Sequence, residues 1–154
     1  MADLIHRLKL EGKLREEKIG FVQIEGLLTD ALKDIREAKR ELDIGERGPF
    51  LLAYQAMLKA GRALLFLESL RPTDGAQHKT VVQVCEFFLG ATFKNLAQQF
   101  EEMRRKRNQL VYEYGSLLSH SEVKAALVDA EEWIRAIAQK VKIKNPQFDL
   151  LFEK

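Results

Sequence analysis

The sequence is poor in the residues that commit a chain to several large protein classes. It holds one cysteine, Cys85, in 154 residues, so no internal disulfide can form and no thiolate cage for zinc can be assembled. Cys85 itself reads as a small buried hydrophobe. The three histidines, His6, His78 and His120, follow Asp3, Gly75 and Leu117 at three residues' distance, so the Glu-x-x-His pairs of di-iron bundles are missing. Neither a Gly-x-x-x-x-Gly-Lys loop nor a Gly-x-Gly-x-x-Gly turn occurs. Gly45-x-x-Gly48 stands without a neighbouring sheet and has no weight as an RNA clamp. Strictly apolar runs stop at five residues, as in Ala63 to Leu67, against roughly 20 needed to cross a bilayer. The opening residues, Met1-Ala2-Asp3-Leu4-Ile5-His6, lack the basic and apolar regions of a signal peptide. Charge of one sign is scarce too: 25 basic and 23 acidic side chains leave +2, so affinity for nucleic acid has to come from a local patch. No metal, cofactor or membrane association is expected, and the cytoplasm is the default location.

What the sequence does have is helical periodicity. Hydrophobic residues at 46% and charged ones at 31% suit one globular domain. Leu14, Phe21, Leu28, Ile35 and Leu42 recur every seven residues, with Ile24, Ala31 and Ala38 between them, which predicts a helix over 21–43. Whether it begins near residue 3 and runs through Gly12 and Gly20 is open. Pro49 suits the first turn of a second helix reaching about Leu70, where Ala53, Ala56, Ala60, Gly61 and Ala63 permit close packing. Residues 71–75 read as a turn. Asp74 and Gln77 resemble a capping box opening a short helix that Gly90 ends. A further helix is predicted from Phe93 to Tyr112. Ser119 and Glu122 cap the last, whose face is Val123, Ala126, Leu127, Ala130, Trp133, Ile134, Ile137 and Val141, and Asn145-Pro146 stops it. With no alternating β-branched stretch, no sheet is expected. The pattern predicts an all-α, antiparallel up-and-down bundle of four to six helices. It forms one domain over residues 1–144, with 1–20 as an N-terminal helical extension and 145–154 as a tail.

The helix from Phe93 to Tyr112 contains an anomaly. Its apolar stripe reads Leu96, Phe100, Met103, Arg107, Leu110 and Tyr114, so an arginine occupies a core-facing slot. Burying it costs several kcal/mol unless the guanidinium is paired or reaches water in a cleft. One explanation is a structural ion pair, or an alkyl stem whose head snorkels out. The other is an anion site, where the planar fork meets a phosphate. The neighbouring cations Arg104, Arg105 and Lys106 fit either a solvated face or an extension of that site.

Arg107-Asn108-Gln109-Leu110-Val111-Tyr112-Glu113-Tyr114, late on a bundle helix, resembles the signature of the HEPN superfamily, in particular its HepT-like, toxin-type members. That signature is an arginine, often followed by a polar residue, four to six intervening residues, and a histidine. The stretches Ala53 to Leu65, Gln77 to Val82 and Met103 to Asn108 and the last capped helix are similar in kind, so the resemblance covers about residues 14 to 142. It implies a helical bundle that pairs as a two-fold homodimer with both motifs lining a shared basic cleft. It also implies a metal-independent endoribonuclease of the toxin type, partnered by a minimal nucleotidyltransferase antitoxin. Arg107 and Tyr112 then take the catalytic positions, Arg104, Arg105, Lys106 and Asn108 the RNA- or nucleotide-binding ones, and Tyr114 matches a tyrosine that the antitoxin modifies with AMP. Tyr112 stands where the family has histidine. An imidazole with pKa about 6.5 accepts a proton readily at pH 7, whereas a phenol with pKa about 10 is ionised at roughly one part in a thousand. The alternative is a non-catalytic dimeric interaction module with a structural Arg107. His78 and His120 lie outside the motif; either can replace the missing histidine only by lying close to Arg107 in space, and His78, at a helix start, reads first as a capping or packing residue.

Overall fold

A computed structural model describes residues 2–73 and 77–150. The fold is the all-α bundle the periodicity predicts, with six α-helices among the described residues: α1 (Ala2–Leu10), α2 (Phe21–Glu41), α3 (Arg47–Leu67), α4 (Gln77–Leu89), α5 (Lys94–Tyr112) and α6 (His120–Lys144). Helix α3 is the hub and packs against α2, α4, α5 and α6. Its composition explains this position, because it is apolar around nearly its whole circumference and can be stable only when covered on all sides. In length and composition α3 resembles a membrane span, but 72% of its most apolar window is buried inside the bundle.

Close approach to α3 depends on its small residues. At Gly61 a Cβ would fall 2.7 Å from Val81 Cγ1 and 3.2 Å from Cys85 Sγ, so α4 lies where only glycine leaves room. Cys85 is fully buried there, its Sγ 3.5 Å from the Gly61 carbonyl, and burial pushes its thiol pKa up. On the other side, the buried Trp133 of α6 donates its indole N–H to the Met57 carbonyl at 3.0 Å, satisfying its one polar atom. From Trp133 a row of rings leads outward: Phe100 at 5.0 Å between centroids, Tyr54 at 5.7 Å from Phe100, and His78 at 5.7 Å from Tyr54.

The structure corrects the sequence reading in several places. A small sheet exists: β1 (Leu14–Glu16) pairs antiparallel with β2 (Leu70–Pro72), Leu14 opposite Pro72 and Glu16 opposite Leu70. Leu14 thus reaches the core from a strand, not from a helical stripe. The N-terminal helical extension expected over residues 1–20 is helical only over Ala2–Leu10, because the chain turns at Gly12, where φ is +73°. The ribbon is pinned by Arg71, whose Nε donates to Glu17 at 2.8 Å. That bond and a second from Arg15 hold the Glu17 carboxyl below its usual pKa. Helix α3 ends at Leu67, since Leu70 already belongs to β2. Helix α5 ends at Tyr112, so the apolar stripe stops at the buried Leu110, and Tyr114 lies beyond the helix, wholly exposed. The Asp74 cap falls outside the described residues. The cap of α6 forms as predicted, with Glu122 N–H donating to Ser119 Oγ and Ser119 N–H to Glu122 Oε1, both at 3.1 Å. Phe148, in the expected tail, folds back and is buried.

Candidate functional site

Between its first turn and its end, α3 departs from apolar and small residues mainly at Gln55, Lys59 and Arg62. Their spacing of four and three places them on one helical face, interleaved with Leu51, Tyr54 and Leu58. This face is one wall of a cleft of about 380 Å³; His78 of α4 and Arg107 and Val111 of α5 supply the rest of its lining.

Arg107 is half-buried. Its Nη1 donates to Asn108 Oδ1 at 3.1 Å, and no carboxylate pairs with it among the described residues. A buried salt bridge is therefore not what makes its core-facing slot tolerable; the guanidinium opens onto the cleft. The Tyr112 ring lies 5.9 Å from Arg107 Cζ, within cation–π reach, and is itself 75% exposed.

His78 is the second polar group of the cleft. Its Nδ1 is 2.9 Å from Tyr54 Oη. Tyr54 is 2% exposed, and burial pushes its phenol pKa up, so it remains protonated. The imidazole is held below the usual histidine pKa, first by burial and then by the positive charges of Arg107, Arg62 and Arg104. It is therefore neutral at pH 7.

The other cations are committed in different ways. Lys59 makes an ion-pair contact with the buried Asp34, Nζ to Oδ2 at 2.9 Å, short in distance but not directed as a good hydrogen bond. Arg104 grips Glu101 with two bonds, Nε to Oε1 at 2.7 Å and Nη2 to Oε2 at 2.9 Å, and Arg105 Nε adds a third at 3.1 Å. These bonds, Arg104's first, hold the Glu101 carboxyl below its usual range. Lys106 donates to the Leu117 carbonyl. Of the expected basic run, Arg107 alone lines the cleft. Tyr114 is apart from it, and His120 sits beside Glu46, Nδ1 to Oε1 at 3.9 Å.

A second groove, of about 350 Å³, runs between α5 and α6 and contains Lys106 but also Glu102, Glu122 and Asp129. Asp129 is held above its usual pKa by burial and by Glu132. Three carboxyl groups make this groove a poor host for phosphate, whereas the α3–α5 cleft offers the Arg107 guanidinium and a neutral imidazole. Among the described residues no three His, Cys, Asp or Glu side chains gather as a metal site.

Sequence reasoning placed Arg107 and Asn108 together and left His78 open as a stand-in whose proximity it could not show, but missed Tyr54 and Arg62. The one legible signal was the polar triplet Gln55, Lys59 and Arg62 on a single face of an otherwise apolar helix. Curated proteins offer no significant match to the chain. A family model described as HEPN domain matches residues 24–141, from the first turn of α2 almost to the end of α6. That span includes every residue of the cleft and most of the chain, and the chain belongs to the HEPN domain family, whose modules are of a general ribonuclease, nucleotide-binding or toxin type.

Proposed function

We propose that the protein binds RNA, or a nucleotide, through a phosphate held by Arg107, and cleaves RNA without a metal ion in the manner of toxin-type HEPN endoribonucleases. The observation that carries this reading is Arg107 itself: a half-buried guanidinium, partnered by the neutral Asn108, opening onto a cleft it shares with a neutral histidine. A guanidinium with no carboxylate partner keeps its donors for a bidentate phosphate contact. Asn108 fixes the fork, while Arg104, Arg105 and Lys106 flank it and contribute to the field that attracts an anion. Tyr112 borders the guanidinium as a ring, not as a proton acceptor. The test is cleavage of a mixed-sequence RNA by wild type and Arg107→Ala, each with and without chelator. Cleavage that survives chelation and disappears in Arg107→Ala is expected. Equal cleavage by both proteins removes the reading.

The active form is proposed to be a cytoplasmic homodimer with the two Arg107 clefts facing each other. Val111, Tyr112 and Leu117, at and beyond the end of α5, are large and exposed, and support an isologous contact there. Such an interface is expected to bury more than about 1,000 Å² in total, and light scattering showing a monomer at tens of micromolar would remove it. The full exposure of Tyr114 also favours a second reading, a dimeric interaction module partnered by a minimal nucleotidyltransferase that transfers AMP to this hydroxyl. Mass spectrometry after incubation with such an enzyme and ATP separates the two: AMP on Tyr114 with no RNA cleavage favours the module.

A further inference from the structure

The α5 motif offers Tyr112 where an imidazole would take up a proton, yet the cleft contains an imidazole from elsewhere. We propose that His78, in the first turn of α4, is the proton acceptor of the Arg107 cleft, standing in for the histidine that α5 lacks. The inference rests on the ribonuclease reading above.

Three observations support it. His78 and Arg107 line the same cleft although they lie on different helices. The ring is oriented: Nδ1 meets Tyr54 Oη at 2.9 Å, and Tyr54 is buried against Phe100, which leaves Nε2 as the nitrogen for the cleft. The reacting tautomer carries its proton on Nδ1, donating to Tyr54 Oη, and offers the Nε2 lone pair. Finally, the surroundings keep the ring neutral. Tyr54 and Arg62 approach it from α3, and Arg107 and Arg104 from α5; Lys59 lines the same wall. Among the described residues no carboxylate lines the cleft to stabilise an imidazolium in the free protein.

The reaction balances without any co-reactant except water. Nε2 of His78 takes the proton as the ribose 2′-O–H bond breaks. The 2′-oxygen forms a bond to phosphorus, and the bond from phosphorus to the 5′-oxygen of the next nucleotide breaks. That oxygen takes a proton from water, leaving a 2′,3′-cyclic phosphate and a 5′-hydroxyl, and His78 returns its proton to solvent. Arg107 holds the phosphate oxygens throughout. The bound phosphate offsets the guanidinium charge, so the imidazolium forms more easily in the complex than in the free protein.

His78→Asn tests this directly, since asparagine can keep the hydrogen bond to Tyr54 while losing Nε2. Expected is a fall in cleavage of about 10²–10⁴-fold, the usual contribution of a general base, with RNA binding within about threefold of wild type. The wild-type rate should also drop on the acid side as His78 becomes protonated. His120→Asn is the control and should cleave as wild type does. Should His78→Asn fold poorly, the wild type supplies the second measurement. The His78 ring proton is followed by NMR against pH, with and without a 2′-deoxy oligonucleotide, which cannot be cleaved. Its pKa should rise on binding, and an unmoved titration overturns the proposal. Full cleavage by His78→Asn beside a dead Arg107→Ala overturns the role of His78 and leaves the Arg107 site standing. An inert wild type overturns both.

Discussion

Replacing Gly61 by alanine sets two effects of similar size against each other. Alanine is better than glycine in a helix interior by about 1 kcal/mol, which favours the variant. Against this, the new methyl would lie 2.7 Å from Val81 Cγ1 and 3.2 Å from Cys85 Sγ. Carbon contacts relax near 3.5–4.0 Å, so α3 and α4 must part by about 1 Å. Val81 and Cys85 are fully buried, and a β-branched side chain in a helix has essentially one χ1 rotamer, so the neighbours cannot swing aside. Overpacking of this kind costs about 1–3 kcal/mol. The net expectation is a loss of about 1 kcal/mol, read from the urea midpoint at constant m-value. The functional effect should be much larger. His78 lies one turn before Val81 on the displaced helix, and an error of about 1 Å at a reacting group can cost about 10²-fold in rate. Gly61→Ala should therefore be folded, slightly weakened and severely impaired in RNA cleavage. A variant stabilised by the full helix-propensity gain, with unimpaired cleavage, would refute both the tight α3–α4 contact and its part in placing His78.

Among the described residues no carboxylate pairs with Arg107, so Arg107→Ala should lower stability by less than about 1 kcal/mol in a denaturant titration, against about 3–5 kcal/mol for breaking a buried ion pair. The pH dependence of stability has a definite sign at His78. Its pKa is lowered by folding, so the unfolded chain binds the proton more readily, and the associated stability is fully present above pH about 6.5 and lost as pH falls through the folded value. Between pH 7 and pH 5 wild type should accordingly lose more stability than His78→Asn; equal losses would contradict this. Ser119→Ala removes the α6 capping box and should cost about 1 kcal/mol, with an unchanged melting temperature as the contrary result.

Features that depend on neighbours in sequence were legible without coordinates. The α6 cap needs only Ser119 and Glu122, three residues apart. The helical faces of α2 and α6 repeat often enough for their period to be unmistakable. What escaped was contact between distant segments. Leu14–Glu16 and Leu70–Pro72 are three residues each, too short for alternation to show, and their pairing joins chain positions more than fifty residues apart. Leu14 also satisfied the seven-residue repeat by coincidence, which concealed the strand. At the site, Arg107 stood out because a charge interrupted an apolar stripe. His78 gave no such signal, since what distinguishes it is a hydroxyl 24 residues away on another helix. The stripe was extended to Tyr114 because nothing local marks the end of α5 before Gly115, where φ is +80°.

The row of rings from Trp133 through Phe100 and Tyr54 to His78 means that the molecule contains its own optical probe. The sequence has one tryptophan, so all indole emission comes from the centre of the bundle, where that ring packs on Phe100 and bonds to Met57. Phe100 and Tyr54 are the only rings between it and the cleft histidine in this row. A ligand that shifts His78 pushes on a stack ending at the fluorophore. Occupancy of the cleft can thus be followed by unlabelled fluorescence titration, and the same signal, lost on unfolding, calibrates how much of it belongs to the folded core.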